Sequence, residues 1–227
     1  MAAFHRVWGV VVLIACWSAK GGSGTTVVSV ALAACLARSS PSGALLADLG
    51  GDVPAVLGLP EPSGPGLGEW LASGHGVPAD ALRRLEVPAP AGLAVLCTGS
   101  DLPSAPGRAE VLAAVLAADP RPVIVDCGST GHVPGATLAA SASASLLVLR
   151  PCYLALRHAV RAPLRPSGII LVREPGRSLG RRDVEEVVGA PVRAEIDVDP
   201  AIARAVDAGL WPLRLPRSVQ RALRHAA

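Results

Sequence analysis

Eight residues, Ala19-Lys20-Gly21-Gly22-Ser23-Gly24-Thr25-Thr26, constrain this chain more than any other stretch. An apolar run, Val10-Val11-Val12-Leu13-Ile14-Ala15-Cys16, precedes them, and an apolar segment from Val27 to Ala37 follows. Strand, glycine-rich loop and helix in that order present backbone N–H groups and a helix N-terminus to a phosphate. Lys20 is the only lysine in 227 residues; the other basic residues are arginines. One lysine inside a glycine loop, in a chain that otherwise uses arginine, marks a position where arginine does not serve.

The remaining sequence alternates strand and helix signals. Strands are predicted up to Trp17 and over 44–48, 93–97, 122–128, 146–150, 169–172 and 192–198. Helices are predicted over 27–38, 78–85, 109–118, 153–161, 182–188, 200–208 and 217–226, with Asp199 as a cap and Gly209 as a stop. Residues 53–59 read as a short apolar turn, 60–68 as a proline- and glycine-rich loop, 69–73 as a helical turn, and 100–107 as loop. The pattern predicts one domain over 1–227, an α/β three-layer sandwich with a mainly parallel central sheet, P-loop NTPase-like. Ligands of such sheets bind at the C-terminal ends of the strands. The glycine loop, Asp48 and Asp126 all fall there.

Composition excludes several function classes. A net charge of +3 is too small to argue for nucleic acid by itself. Cys16, Cys35, Cys97, Cys127 and Cys152 are widely spaced without a C-x-x-C, so they read as free thiols of a reducing, cytoplasmic compartment. Residues 7–19 mimic a signal peptide but are too short to span a membrane, and cleavage at Cys16 would remove the strand supporting the loop.

A P-loop needs glycines to wrap phosphates, a lysine for their oxygens, a Ser/Thr for Mg²⁺ and a carboxylate on a neighbouring strand. Gly21, Gly22, Ser23 and Gly24 supply the wrap, with Thr25 and Thr26 following; Thr26 and Asp126 are placed for the metal. Lys-Gly-Gly-x-Gly-x-Thr resembles the deviant Walker motif of the ParA/MinD superfamily. Residues 44–48 resemble its second-strand aspartate motif and 123–128 its Walker B strand. Further segments resemble the degenerate CpaE/TadZ-like or septum-site-determining members of actinobacterial type: residues 52–60, Arg150-Pro151-Cys152-Tyr153-Leu154-Ala155-Leu156-Arg157, and Val206-Asp207-Ala208-Gly209.

The resemblance implies ATP and Mg²⁺ as ligands, a homodimer in which Lys20 reaches the partner's nucleotide, and catalytic roles for Lys20 and Asp48. It implies a protein partner in a pilus assembly or division apparatus, and a cytoplasmic protein brought to the pole or membrane by partners. Two departures cut against turnover: the family's P-loop lysine is Thr25, and its second aspartate is Gly50. Losing one charge-assisted phosphate contact costs about 1.5–3 kcal/mol, roughly 10–150-fold in affinity. The expectation is weak ATP binding and very slow hydrolysis. The alternatives are a nucleotide-independent pseudo-ATPase scaffold and an active chromosome-partitioning ATPase. Arg157, Arg161 and Arg165 read as a solvated face, with non-specific DNA as the alternative. Arg214, Arg217, Arg221 and Arg224 with Leu215, Val219 and Leu223 form a basic tail expected to pack on the body rather than insert in a membrane.

Overall fold

The structure is a computed structural model. It describes residues 13–73, 78–99, 102, 108–129, 131–224 and 226. Its centre is one sheet of eight strands: β1 (Leu13–Ser18), β2 (Ala44–Asp48), β3 (Glu86–Ala89), β4 (Leu93–Leu96), β5 (Val123–Ser129), β6 (Ala144–Leu149), β7 (Gly168–Arg173) and β8 (Val192–Asp197). Their order across the sheet is β3-β4-β2-β5-β1-β6-β7-β8. All neighbours are parallel except β3 and β4.

The sheet is covered on both faces, and alternation along each strand divides the core in two. Ile14, Cys16, Leu46, Ile124, Val148 and Ile170 face one helical layer. That layer comprises α1 (Thr25–Ala37), α2 (Val53–Leu57), α8 (Pro200–Asp207) and α9 (Arg217–Leu223). Leu13, Ala15, Leu45, Val125, Leu147 and Leu171 face the other. There lie α3 (Leu67–Ala72), α4 (Ala109–Ala117), α5 (Val133–Ser141), α6 (Tyr153–Arg161) and α7 (Arg181–Val188). Strands buried on both faces read as the near-continuous apolar runs seen in the sequence. The three-layer α/β architecture is therefore as expected.

Four elements differ from the sequence reading. Edge strand β3 was not expected, because Pro88 argues against a strand; at a sheet edge the missing N–H is tolerated. Helix α5 was not expected either, since Pro134, Gly135 and Thr137 are poor helix formers. Pro134 sits in its first turn, where proline does no harm, and the His132 ring accepts the Gly135 N–H at 3.1 Å as a cap. Residues 53–57 form a helix rather than a turn, and residues 79–85 are 3₁₀. The loop expected over 100–107 lies outside the described residues apart from Leu102, as do residues 10–12 of the first apolar run.

The five cysteines are free; Cys16, Cys97 and Cys127 are buried. Burial pushes the Cys16 thiol up to about 12, far from reactive thiolate chemistry. Leu215, Val219 and Leu223 are buried against the body, with α9 packed on α1 and β8, as expected for the basic tail. Among the described residues no helix is long and apolar enough to cross a membrane.

Candidate functional site

Central strand β1 delivers the chain to the loop at the C-terminal edge of the sheet. The chain then turns sharply: Gly22 has φ 77° and Gly24 has φ 90°. Both lie in the left-handed region that side chains with a Cβ avoid. A Cβ on Gly21, Gly22 or Gly24 would touch nothing within 4 Å. Backbone shape, rather than crowding, thus requires glycine at 22 and 24, and the loop faces open space. The Ser23 hydroxyl donates to the Lys20 carbonyl at 3.0 Å and closes the turn from within.

Gly24 is the N-cap of α1 and gives it no side-chain cap; no acidic residue stands in the first turn. The first amides of a 13-residue helix therefore point at the loop without a protein acceptor at the cap, which is an anion-binding arrangement. Thr25 is nearly buried, and its carbonyl accepts the Ser29 hydroxyl at 2.9 Å. Lys20 turns its ammonium onto the Gly21 carbonyl at 2.9 Å, in an exposed contact.

The two strand-end aspartates are in register on neighbouring parallel strands, Asp48 beside Asp126, and both are fully buried. They are used differently. Asp48 Oδ1 accepts the N–H groups of Gly50 at 2.9 Å and Gly51 at 2.7 Å, and Oδ2 accepts that of Val53 at 3.2 Å. It builds the turn after β2 and caps α2 from outside. Burial pushes Asp48 up to about 7; the neighbouring Asp126 charge adds to this, and the three amides pull back. Asp126 Oδ1 accepts the Gly128 N–H at 3.1 Å, whereas Oδ2 has no hydrogen-bond partner. Burial raises Asp126 as well. The Thr26 and Ser29 hydroxyls and the Gly128 amide offset part of this as nearby dipoles, though neither hydroxyl meets Oδ2 in hydrogen-bonding geometry.

A cavity of about 590 Å³ opens over the loop. Gly21 to Val27, Gly50, Gly128, Asp52 of the β2–α2 turn and Asp207 of α8 line it; its described lining includes no Lys or Arg. Lys20, Asp48 and Asp126 are not in that lining: Asp126 lies beneath Gly50, and Asp48 faces a neighbouring cavity of about 540 Å³ with Glu61 and His132. Two glycine contacts shape the walls. A Cβ on Gly128 would come 3.2 Å from Gly50 Cα, and one on Gly209 would come 2.5 Å from Gly58 Cα. The second contact joins the ends of α2 and α8, the two sides of the cleft. An apolar pocket of about 280 Å³ adjoins, with Val27, Ile202 and Trp211 in its wall. Sequence offers Asp52 as a substitute for the second aspartate that Gly50 replaces, and Asp207 only within a resembling segment. The structure brings both to the cleft wall, together with the Gly50–Gly128 approach, from segments far apart in the chain.

The residues fit a divalent cation of limited kind. An orphaned, buried carboxylate oxygen beside a threonine hydroxyl suits a cation that keeps most of its water and binds phosphate oxygens. Among the described residues no group of three or more His, Cys, Asp or Glu side chains could hold a metal ion by itself.

No protein-family model matches the chain, and no curated protein matches it in sequence. Solved structures do. The septum site-determining protein MinD of Pyrococcus horikoshii OT3, complexed with Mg-ADP, superposes with a TM-score of 0.76 at 20% identity, over 96% of this chain and 95% of that one. A ParA family ATPase of Chlorobium tepidum TLS gives 0.72 at 19% identity, over 94% and 96%. A variant of McdA from Cyanothece, in complex with ATP, gives 0.71 at 18%, over 96% of both. The chain thus has the P-loop fold of the ParA and MinD structures, along nearly its whole length.

Proposed function

We propose that this chain is a nucleotide-dependent positioning protein of ParA/MinD type, with weak Mg-ATP binding and very slow hydrolysis. The finer reading is a CpaE/TadZ-like protein that places a pilus assembly apparatus or a division site. The observation that carries the proposal is the orphaned Asp126 Oδ2, fully buried beneath Gly50 of the cleft wall, next to a glycine loop whose helix N-terminus has no side-chain cap. A buried carboxylate oxygen without a partner is costly unless something charged completes it. Two of the similar structures hold Mg-ADP and ATP, which fits that need.

In this reading the amides of residues 21–26 take the phosphates, and the apolar pocket beside Trp211 takes the base. Thr26 and Asp126 hold Mg²⁺, which supplies neutralisation of phosphate charge when bound. Asp48 positions the turn that carries Gly50 and Asp52. The described cleft lining offers no cation of its own, so Lys20 serves from a second copy, across a homodimer. Thr25, standing at the position of the usual lysine, leaves the phosphates without that charge within one copy.

Titration with Mg-ATP, with size measured in parallel, tests this. The expected result is millimolar-range binding that drives dimerisation, both reduced in Lys20→Ala. Absence of binding at millimolar Mg-ATP would leave the second reading, a nucleotide-independent scaffold. The acidic lining of Asp52 and Asp207 without a basic side chain is the feature that favours it.

A further inference from the structure

Helix α6 lies on the opposite face of the sheet from α1 and is only half used by the fold. Ala155, Leu156 and Ala159 seat it in the core. Its outer side carries Tyr153 at 75% exposure, Leu154 at 47% and Val160 at 50%. These are three of the nine large hydrophobic side chains exposed among the described residues, on a helix of nine residues. A merely solvated helix face is polar. Interleaved with them, at intervals of three and four, stand exposed Arg157, His158 and Arg161.

The charge of this face is uncompensated. Nearby, Arg150 pairs with Glu174 and Arg173 with Glu195 and Asp197, whereas Arg165 just beyond the helix meets, among the described residues, only the Ala162 carbonyl at 3.5 Å. Arg157 and Arg161 make no ion pair among the described residues. From Cys127 to Arg173 the sequence contains no Asp or Glu. On neighbouring α7, Asp183 accepts the Gly180 N–H, Glu185 pairs with Arg181, and exposed Glu186 is matched in number by exposed Arg182 of the same helix.

We infer that the outer face of α6 is a docking surface for an acidic, amphipathic helix of a protein partner. Its apolar side chains cover Tyr153, Leu154 and Val160, and its carboxylates flank them to meet Arg157 and Arg161. Charge complementarity selects the acid, and the exposed apolar residues select a surface that can be desolvated against them. Duplex DNA supplies anionic charge but leaves Leu154 and Val160 against water. A bilayer needs a larger apolar face than α6 retains once Ala155, Leu156 and Ala159 are committed to the core. This inference does not depend on the nucleotide cleft.

The test uses the full chain without nucleotide. A labelled synthetic helix with leucines on one face and glutamates on both flanks is titrated by fluorescence anisotropy. A version with lysine for glutamate, random-sequence duplex DNA, and phosphatidylcholine–phosphatidylserine vesicles are run beside it. The acidic helix should bind, more weakly at high salt. Tyr153→Ser with Leu154→Ser should weaken it by roughly tenfold or more, as loss of central apolar contacts does. Arg157→Glu with Arg161→Glu should abolish it and transfer binding to the lysine version. All four substitutions are on exposed side chains, so the circular dichroism spectrum and unfolding midpoint should not move. No binding of the acidic helix, equal binding of both helices, or capture of only DNA or vesicles would each overturn the assignment.

Discussion

Asp48 and Asp126 sit side by side, and the difference between them lies in their hydrogen bonds. Asp48→Ala would strand three backbone N–H groups in the turn after β2. At about 1–3 kcal/mol for each unsatisfied donor, a loss of roughly 3 kcal/mol or more is expected in urea unfolding. Asp126→Asn removes a buried charge with an unpaired oxygen, so stability should hold or rise while any Mg²⁺ dependence of nucleotide binding disappears. The pH response of Asp48 has a definite sign. Its carboxyl is raised from 3.8 to about 7, so the folded state holds a proton that the unfolded state has released. The stabilising contribution is complete below pH 3.8 and is lost as pH rises towards 7. Asp48→Asn should flatten stability against pH in that window; an unchanged slope would show that Asp48 is not the titrating group.

Elements whose signals are local were legible in the sequence: the loop through Gly24, α1, and the strands β2 and β5 with their terminal aspartates. Elements that depend on distant partners were not. Helix α5 needs His132 as its cap, and a histidine is not a usual cap residue in a sequence pattern. Both ring nitrogens are engaged, Nδ1 accepting from Gly135 and Nε2 at 3.0 Å from the Cys127 carbonyl, which fits the neutral ring. Burial lowers the His132 pKa, so its stabilisation is present above the ordinary histidine value near 6.5 and fades as pH falls. His132→Ala should cost about 1 kcal/mol near neutral pH, the usual worth of a cap, and the gap from wild type should narrow in thermal unfolding as the buffer is made acidic. Gly209 was legible as a helix stop, but its contact with Gly58 was not. Gly209→Ala at φ 64° costs about 1–2 kcal/mol in backbone strain alone. It would also push α8 from α2, so nucleotide affinity should fall along with stability.

The molecule as a whole presents poor sheet edges to other chains. β3 is four residues long and contains Pro88; β8 carries Arg193, Glu195 and Asp197. Such edges discourage strand pairing, so the proposed homodimer would use another surface. The cleft is the candidate, because its described lining lacks the cation that a triphosphate requires while Lys20 points to the Gly21 carbonyl beside it. Under the proposed role of Lys20 across a dimer, ATP affinity and dimerisation would be one equilibrium. Apparent ATP affinity should therefore rise with protein concentration, which separates the dimer reading from weak binding by single copies. Complementation tests the source of the charge. Lys20→Ala keeps its cradle and Asp126, whereas Asp126→Asn keeps its lysine. Neither should dimerise efficiently with Mg-ATP, but their mixture can assemble one complete cleft and should recover up to half of the wild-type nucleotide binding. Thr25→Lys should instead restore binding within one copy and remove the concentration dependence. Failure of the mixture to recover, with both variants folded, would show that Lys20 does not act across a dimer.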